Sequence, residues 1–498
     1  MLIHNFLENS ADLYPDKTAV IHGNKRFNYL EIEQKANSIA NWLLKKGVQR
    51  GHRVALLLRN SIEYIYGYYG VQKVGAIVVP LNTGLEVSEL SQMLDNCAPV
   101  VIISEKFFSE KILQINENKK YHFEKILFTN GESICFDQIF QLYSSKRPTI
   151  TLIDKDISSI IYTSGSTGGP KGVTLSHLNL VANTHSILSY LKLTSKDRVM
   201  AVLPFYYVYG KTLLNLHFAV SGSIIIDNRF AFPNAVLKTM NQEKATGFSG
   251  VPSTFSILVN RSSIGKMDFP FLKYITQAGG HMNAEIKKRL ISLFPDKKIY
   301  IMYGATEASS RLSYLEPDMV PRHMKSIGKA IPNVELDIFD ENGREVSTGE
   351  EGEIVARGSN IMQGYWKLPE ETKKVLKNGW YYTGDFGIKD VEGYIYVTGR
   401  KKEVIKTGIY KVNAKEIEEV LLAYPGVIET AVVGVEDDVL GEAIKAFVVT
   451  DRPLVVRDII RFCKNRLDNY KVPGKIERID NLPKNESGKV LKLQLVKL

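Results

Sequence analysis

Cysteine is scarce in this chain: Cys97, Cys135 and Cys463 are the only three in 498 residues. Their odd number and wide spacing exclude a disulfide framework and any CxxC-type zinc or redox site. They read as reduced, buried thiols of a cytoplasmic protein. No apolar stretch nears the roughly 18 residues that a membrane-spanning helix needs. The opening MLIHNFLENSADLYPDK has no basic region followed by an apolar one, so no secretory leader is expected. Blocks of like charge are also missing. The net charge is +10 and the pI about 9.1, yet the lysines are scattered. That distribution suits solubility and small anionic ligands, and it argues against a nucleic-acid partner, which needs a clustered patch. Neither internal repeats nor low-complexity tracts occur.

What is present is a globular composition, 44% hydrophobic and 24% charged, in a chain too long for one core. The first third alternates two periods. In YLEIEQKANSIANWLLKKG, Ile32, Ala36, Ile39 and Leu43 share one helical face, with Gly47 as a stop. RVALLL, AIVVPL and VVIIS read as buried strands, separated by the helical stretches SIEYIYGYYGVQKVG and SELSQMLDNC. VMAVLPF, GSIIID, ATGFSGVP, KYITQAGG and KIYIMYG continue the rhythm, which implies parallel sheet with crossover helices. From about Ser326 the pieces shorten (VELDIFDENGREV, GEIVARG, GYIYVTGR), with an Asn342-Gly343 turn, as in an antiparallel or barrel-like region. After Arg400 comes a compact α+β segment.

IIYTSGSTGGPKGVTLSH carries the first chemistry. Gly165, Gly168, Gly169 and Gly172 let backbone approach an anion, Thr163, Ser164, Ser166 and Thr167 offer hydroxyls, and Lys171 offers a positive charge. The lysine is followed by glycine and then by strand-like VTLS, so this is not a P-loop opening a helix.

YTSGSTGGPKG resembles the phosphate loop of the adenylate-forming superfamily, which includes acyl-CoA synthetases. YGATEAS, GEIVARGSNIMQGYW, WYYTGDFG, GYIYVTGRKKEVIKTGIYKVNAKEIEEVL and LPKNESGKVLK are similar to its further motifs, in the family's order and over nearly the whole chain. The resemblance implies a large N-terminal α/β domain of mixed and parallel sheets over 1–400, with a small β-barrel subdomain from about 311. A mobile α+β C-terminal domain over 401–498 would turn about a hinge at Lys402.

It also implies site residues. Tyr303 would stack on adenine, with Gly304, Gly279 and Gly280 beside it; Thr306 would contact the α-phosphate. Glu307, a carboxylate in a phosphate-rich site, would hold Mg²⁺. Asp385 and Arg400 would bind ribose. Lys489 would bridge the substrate carboxylate and the α-phosphate, stabilising charge that develops in the transition state. Lys406 would lie on the face that arrives for the second step. The reaction implied is attack of a carboxylate on ATP, giving acyl-AMP and pyrophosphate. Transfer to CoA, or to the phosphopantetheine of a carrier protein, would follow.

Two departures stand out. The family has glycine before the aromatic residue of the loop after the hinge. Here Ile409 precedes Tyr410, and Gly408 comes one place early. Either Gly408 takes over with a shifted loop, or the branched side chain narrows the path of a pantetheine arm, the acceptor is not ordinary CoA, and thioester formation with free CoA is slowed. In LPFYYVYG, Tyr207 stands where the family often has histidine, and no aspartate is present to pair an α-ammonium group. Tyr206, Tyr207, Tyr209, Phe248 and Met302, with Gly280, would form an apolar pocket for an aryl or short-to-medium aliphatic acid. His281 is expected only as pocket wall.

Overall fold

The computed structural model describes residues 1–117, 126–130, 135–163, 169–400, 403–408, 410–437, 440–484 and 490–496. Two large sheets dominate. The first has the strand order Lys329–Ala330, Ser313–Leu315, Lys298–Tyr303, Tyr274–Gln277, Gly247–Gly250, Arg198–Ala201, Ser223–Ile226, Thr18–His22, Lys25–Asn28. It is parallel from Lys298–Tyr303 to Thr18–His22 and antiparallel at both edges. The second runs Gly364–Tyr365, Lys171–Ser176, Ile157–Thr163, Ile77–Pro80, Arg53–Leu57, Val101–Ser104, Ile126–Phe128. Its pairings are parallel from Ile157–Thr163 onward. The apolar runs separated by helices thus form parallel sheets, as expected from the sequence.

The core lies between the sheets. Helix Tyr29–Lys45 begins at Asn28, whose side chain accepts from the Glu31 amide, and stops at Gly47, in the left-handed region with φ +80°. Its buried face, with Ile32, Ala36, Ile39 and Leu43, meets helix Ile62–Lys73. Contact is so close that a Cβ on Gly70 would stand 2.8 Å from Ile39 Cγ2. Helix Ile62–Lys73 is buried on every side and rests on the second sheet, while helix Val208–Ala219 rests on the first. The two helices meet through aromatic side chains. Tyr64 donates to the Phe205 carbonyl at 2.9 Å, and Tyr69 stacks on Phe218 with ring centroids 5.4 Å apart.

A smaller antiparallel sheet pairs Val334–Phe339, Glu351–Gly358 and Trp380–Lys389, with Leu376–Lys377 and Ile395–Arg400 both beside the last. The C-terminal unit has its own sheet and core. Helices Ala414–Leu422 and Val456–Lys464 bury Ile417, Leu421, Ile459 and Cys463 with Ile444, Ala446 and Val448 of strand Gly441–Thr450. Cys97, Cys135 and Cys463 are free and buried, and burial pushes the Cys97 thiol up to about 12. Among the described residues no helix is long and apolar enough to cross a membrane.

Candidate active site

Tyr303 ends a parallel strand, and the chain turns at Gly304 against the Ser310 carbonyl, which a Cβ at Gly304 would meet at 2.1 Å. This edge, outside the carboxyl ends of parallel strands, is where α/β sheets place ligands. The Tyr303 hydroxyl donates to Asp385 Oδ2 at 2.6 Å, and Arg400 Nε donates to Asp385 Oδ1 at 2.5 Å. Asp385 and Arg400 face each other across an antiparallel pair, and the Asp385 amide donates to Thr383 Oγ1 at 3.1 Å. Burial raises the Tyr303 phenol far above its ordinary value, and the adjacent Asp385 carboxylate adds to this. For Arg400, burial alone would lower the value, but Asp385 wins and holds it above the usual range. Each carboxylate oxygen of Asp385 keeps a second lone pair, so a ribose diol could share it with the present donors. Gly279, with φ +88°, and Gly280 follow strand Tyr274–Gln277, and the Gly280 carbonyl accepts from Gln277 Nε2 at 2.9 Å.

Thr163 and Lys171 are paired between two antiparallel strands, and Lys171 opens the second of them, in line with the strand-like reading of VTLS. Ser164, Gly165, Ser166, Thr167 and Gly168 lie outside the described residues. Gly172 has a packing role: a Cβ there would stand 2.7 Å from Ile160 Cγ2 and 3.3 Å from Trp366 Cβ. Strand Gly364–Tyr365 pairs with the strand that Lys171 opens, and the Trp366 amide donates to the Gly172 carbonyl at 2.7 Å. That placement puts the Tyr365 ring 5.1 Å from Lys171 Nζ and lets its hydroxyl donate to Glu307 Oε1 at 2.8 Å. Lys171 also donates to Glu371 Oε2 at 2.5 Å. Hydrogen bonds from Lys171, then Lys374, hold the Glu371 carboxyl down at about 2.

Thr306 and Glu307 sit in the short helical turn Thr306–Ala308, and the Met362 amide donates to the Glu307 carbonyl at 2.8 Å. No cation pairs with the Glu307 side chain among the described residues, so its carboxylate is suited to a metal ion. Lys171, already bound to a carboxylate, is suited to a phosphate.

Around the expected acyl pocket, strand register decides which residues share a face. Ser249, Thr276, Tyr300 and Met302 alternate with Phe248, Ile275 and Ile301. The Tyr209 hydroxyl lies 2.8 Å from Thr276 Oγ1, Thr276 lies 2.7 Å from Ser249 Oγ, and the Tyr190 hydroxyl meets Met302 Sδ at 3.2 Å. Phe248 packs on the other face, against Phe255 and Met200. The structure therefore brings Tyr209 and Met302 together and sets Phe248 apart. Tyr206 and Tyr207 remain adjacent, with ring centroids 4.7 Å apart, and Asn82 Nδ2 donates to the Tyr207 hydroxyl at 3.4 Å.

Lys402, Ile409 and Lys489 lie outside the described residues. Lys406 is exposed on strand Val404–Thr407. Gly408, with φ +58°, donates to the Leu440 carbonyl at 2.8 Å, and exposed Tyr410 stacks on Tyr470 at 4.0 Å. At the end of the Lys489 motif, Lys492 binds Glu403 at 2.6 Å and Glu418 at 2.8 Å. His281 lies 3.9 Å from Glu419, and burial, then Lys415, lowers it to about 3. Sequence reasoning did not single out Tyr365, Glu371, Ser249, Thr276 or Lys492. Tyr365 and Lys492 had a signal, since each lies inside a quoted motif.

The chain belongs to the AMP-binding enzyme family, which it matches over residues 7–366, and residues 416–489 match the AMP-binding enzyme C-terminal domain. It is 32% identical to the 2-succinylbenzoate–CoA ligase of Bacillus cereus (strain ZK / E33L), covering 99% of this chain and 98% of that one. It is also 32% identical to a long-chain-fatty-acid–CoA ligase of Bacillus subtilis (strain 168), covering 99% and 94%. Among solved structures, the o-succinylbenzoate CoA synthetase of Bacillus subtilis bound to its acyl-adenylate superimposes with a TM-score of 0.87 at 27% identity, covering 99% of this chain and 97% of that one. The same enzyme has been solved with ATP and a magnesium ion, with a TM-score of 0.87, 27% identity and 99% of both chains covered.

Proposed function

We infer that this protein is an AMP-forming acid–CoA ligase. In the first half-reaction a carboxylate oxygen of the acid attacks the α-phosphorus of ATP. The bond to the β-phosphate breaks, and acyl-AMP and pyrophosphate result. In the second, the thiol sulfur of CoA attacks the acyl carbon and AMP leaves. The observation that supports this reading is that Tyr365 lies beside Lys171 and donates to Glu307, while Tyr303 donates to Asp385, in a chain whose full-length relatives are CoA ligases.

Individual roles are assigned on chemistry. Lys171 and the loop before it would hold the departing phosphates; Tyr303, Asp385 and Arg400 would seat the nucleoside; Thr306 would donate to the α-phosphate. Glu307 would hold Mg²⁺, which supplies charge neutralisation for the phosphates. Positioning and electrostatics dominate such a transfer. Lys489 would stabilise the adenylation transition state. A turn about Lys402 of residues 401–498 against 1–400 would exchange Lys489 for the Lys406 face before thioester formation. The acid would be an aryl or short-to-medium aliphatic one.

Pyrophosphate release from ATP and Mg²⁺ over an acid panel, with acyl-CoA formation followed in parallel, tests this. Lys489→Ala should lower adenylation by about 10²-fold or more, yet leave thioester formation from supplied acyl-AMP largely intact. Equal loss of both steps, or no acid-dependent pyrophosphate, refutes the reading. Ile409, the basic surface and the exposed Tyr410–Tyr470 pair favour a second acceptor, the phosphopantetheine of an acidic carrier protein. Competition between CoA and holo-carrier protein separates the two.

A further inference from the structure

Beside Tyr209, one of the residues expected to form the acyl pocket, lies a charge that an apolar pocket does not require. Arg311 is 2% exposed, with its guanidinium carbon 4.7 Å from the centroid of the Tyr209 ring. Its guanidinium hydrogen-bonds the Tyr190 and Tyr209 hydroxyls, its Nη1 reaches the Ser310 carbonyl at 3.4 Å, and its buried Nε finds no acceptor among the described residues. Among the described residues no carboxylate pairs with it, and its charge acts instead on the neutral hydroxyls of Tyr190 and Tyr209. Two other buried cations show what a protein ordinarily does. Lys73 carries two carboxylates, Glu8 at 2.5 Å and Glu33 at 2.9 Å. Lys211 has no carboxylate, but burial lowers it to about 7, so it can shed its proton. Arginine has no such escape.

The turn that carries Arg311 inward is held firmly. Ser309 and Ser310 adopt φ of 57° and 112°, a conformation that L side chains rarely take. The Asn183 and Asn360 amides donate to the Arg311 carbonyl at 3.1 and 2.9 Å, and Thr212 donates to Ser310 Oγ at 2.9 Å. Arg311 therefore lies a few residues past Thr306, beside Tyr209, on the sheet face that carries Met302. A buried guanidinium held only by neutral groups, with no counter-charge among the described residues, is unfavourable, and a ligand that supplies an anion relieves it.

We propose that Arg311 is the seat for a second carboxylate, so that the acid activated here is a dicarboxylic acid. One carboxylate is adenylated, the other neutralises Arg311, and the aryl or aliphatic part spans the distance between them. This rests on the acid–CoA ligase reading and narrows its substrate class. A monoacid of equal length leaves the guanidinium unpaired in a desolvated site and is rejected for that reason.

Paired acids test it: hexanoate against adipate, octanoate against suberate, and benzoate against ring-carboxylated benzoates, with pyrophosphate release read for wild type, Arg311→Met and Arg311→Lys. The wild type should favour the best diacid over its monoacid partner in kcat/KM by about 10²-fold or more. Arg311→Met should collapse that ratio towards unity through loss on the diacid, with the monoacid rate kept or raised. Arg311→Lys should retain part of the preference. Equal use of both acids by the wild type overturns the proposal, as does a proportional slowing of both by Arg311→Met. If Arg311→Met does not fold, the wild-type ratio and Arg311→Lys decide the matter. Activity on monoacids alone overturns only this inference, whereas inactivity on every acid overturns the ligase reading as well.

Discussion

The Tyr365 hydroxyl donates to Glu307 at 2.8 Å, tying the added edge strand of the second sheet to the YGATE turn at the end of the first. Glu307 is thereby oriented by a residue on a different sheet. Tyr365→Phe removes the donor and leaves the ring that packs near Lys171. Loss of a partner that orients a metal-holding carboxylate lowers affinity or activity by about 10–100-fold. The expected outcome is a higher Mg²⁺ half-saturation for adenylation with unchanged thermal stability. An unchanged Mg²⁺ dependence removes Tyr365 from the site.

Lys171 is occupied by Glu371, an internal anion where a phosphate would bind. Glu371→Gln should release the lysine and lower the KM for ATP several-fold, with stronger product inhibition by pyrophosphate. The carboxyl titrates at about 2, below its ordinary 4.5, so the contact is complete above pH 4.5 and is lost as pH falls through about 2. ATP affinity between pH 6 and 9 should therefore not follow Glu371. A KM for ATP that rises in Glu371→Gln contradicts the competition.

His217 sets an acid limit on the fold. It is fully buried, with Nδ1 2.9 Å from the Leu213 carbonyl and Nε2 3.2 Å from the Tyr274 hydroxyl. Burial lowers it from 6.5 to about 4. The unfolded chain binds the proton first, so this contribution is complete above pH 6.5 and is lost as pH falls through about 4. It amounts to about 3 kcal/mol. Urea midpoints should drop over that window, and His217→Gln should flatten the slope by one proton, although His4 and His177, lowered to about 4 and about 3, keep part of it. A slope identical to wild type rules His217 out.

The parallel sheets were legible because their short apolar runs are interrupted by helical periodicity, and Tyr303, Asp385 and Arg400 because their motifs occur in order. Phe248 was misread for a physical reason. A strand buried on both faces carries apolar or small residues on each, so sequence does not tell which residues share a face, and only register with Ile275 and Thr276 separates Phe248 from the face of Ser249. Lys171–Glu371 and Tyr365–Glu307 join distant segments through an edge strand too short to leave a pattern. Arg311 was not singled out in the sequence; the turn at Ser309 and Ser310, both with positive φ, precedes it, and it is buried.

Ile409 carries the acceptor question. On either side of it, Gly408 is in the left-handed region with its amide bonded to the Leu440 carbonyl, and Tyr410 stacks on Tyr470. Glycine at 409 would remove a β-branched side chain from the segment that family resemblance places beside the pantetheine arm. Ile409→Gly should therefore raise the CoA-dependent turnover of preformed acyl-AMP and leave acid-dependent pyrophosphate release unchanged, because the first half-reaction does not use this loop. The measurement is a single-turnover chase of acyl-AMP with CoA, run beside one with holo-carrier protein. A gain with CoA alone identifies Ile409 as a filter against free CoA. No gain with either thiol shows that the loop accommodates isoleucine without narrowing the path.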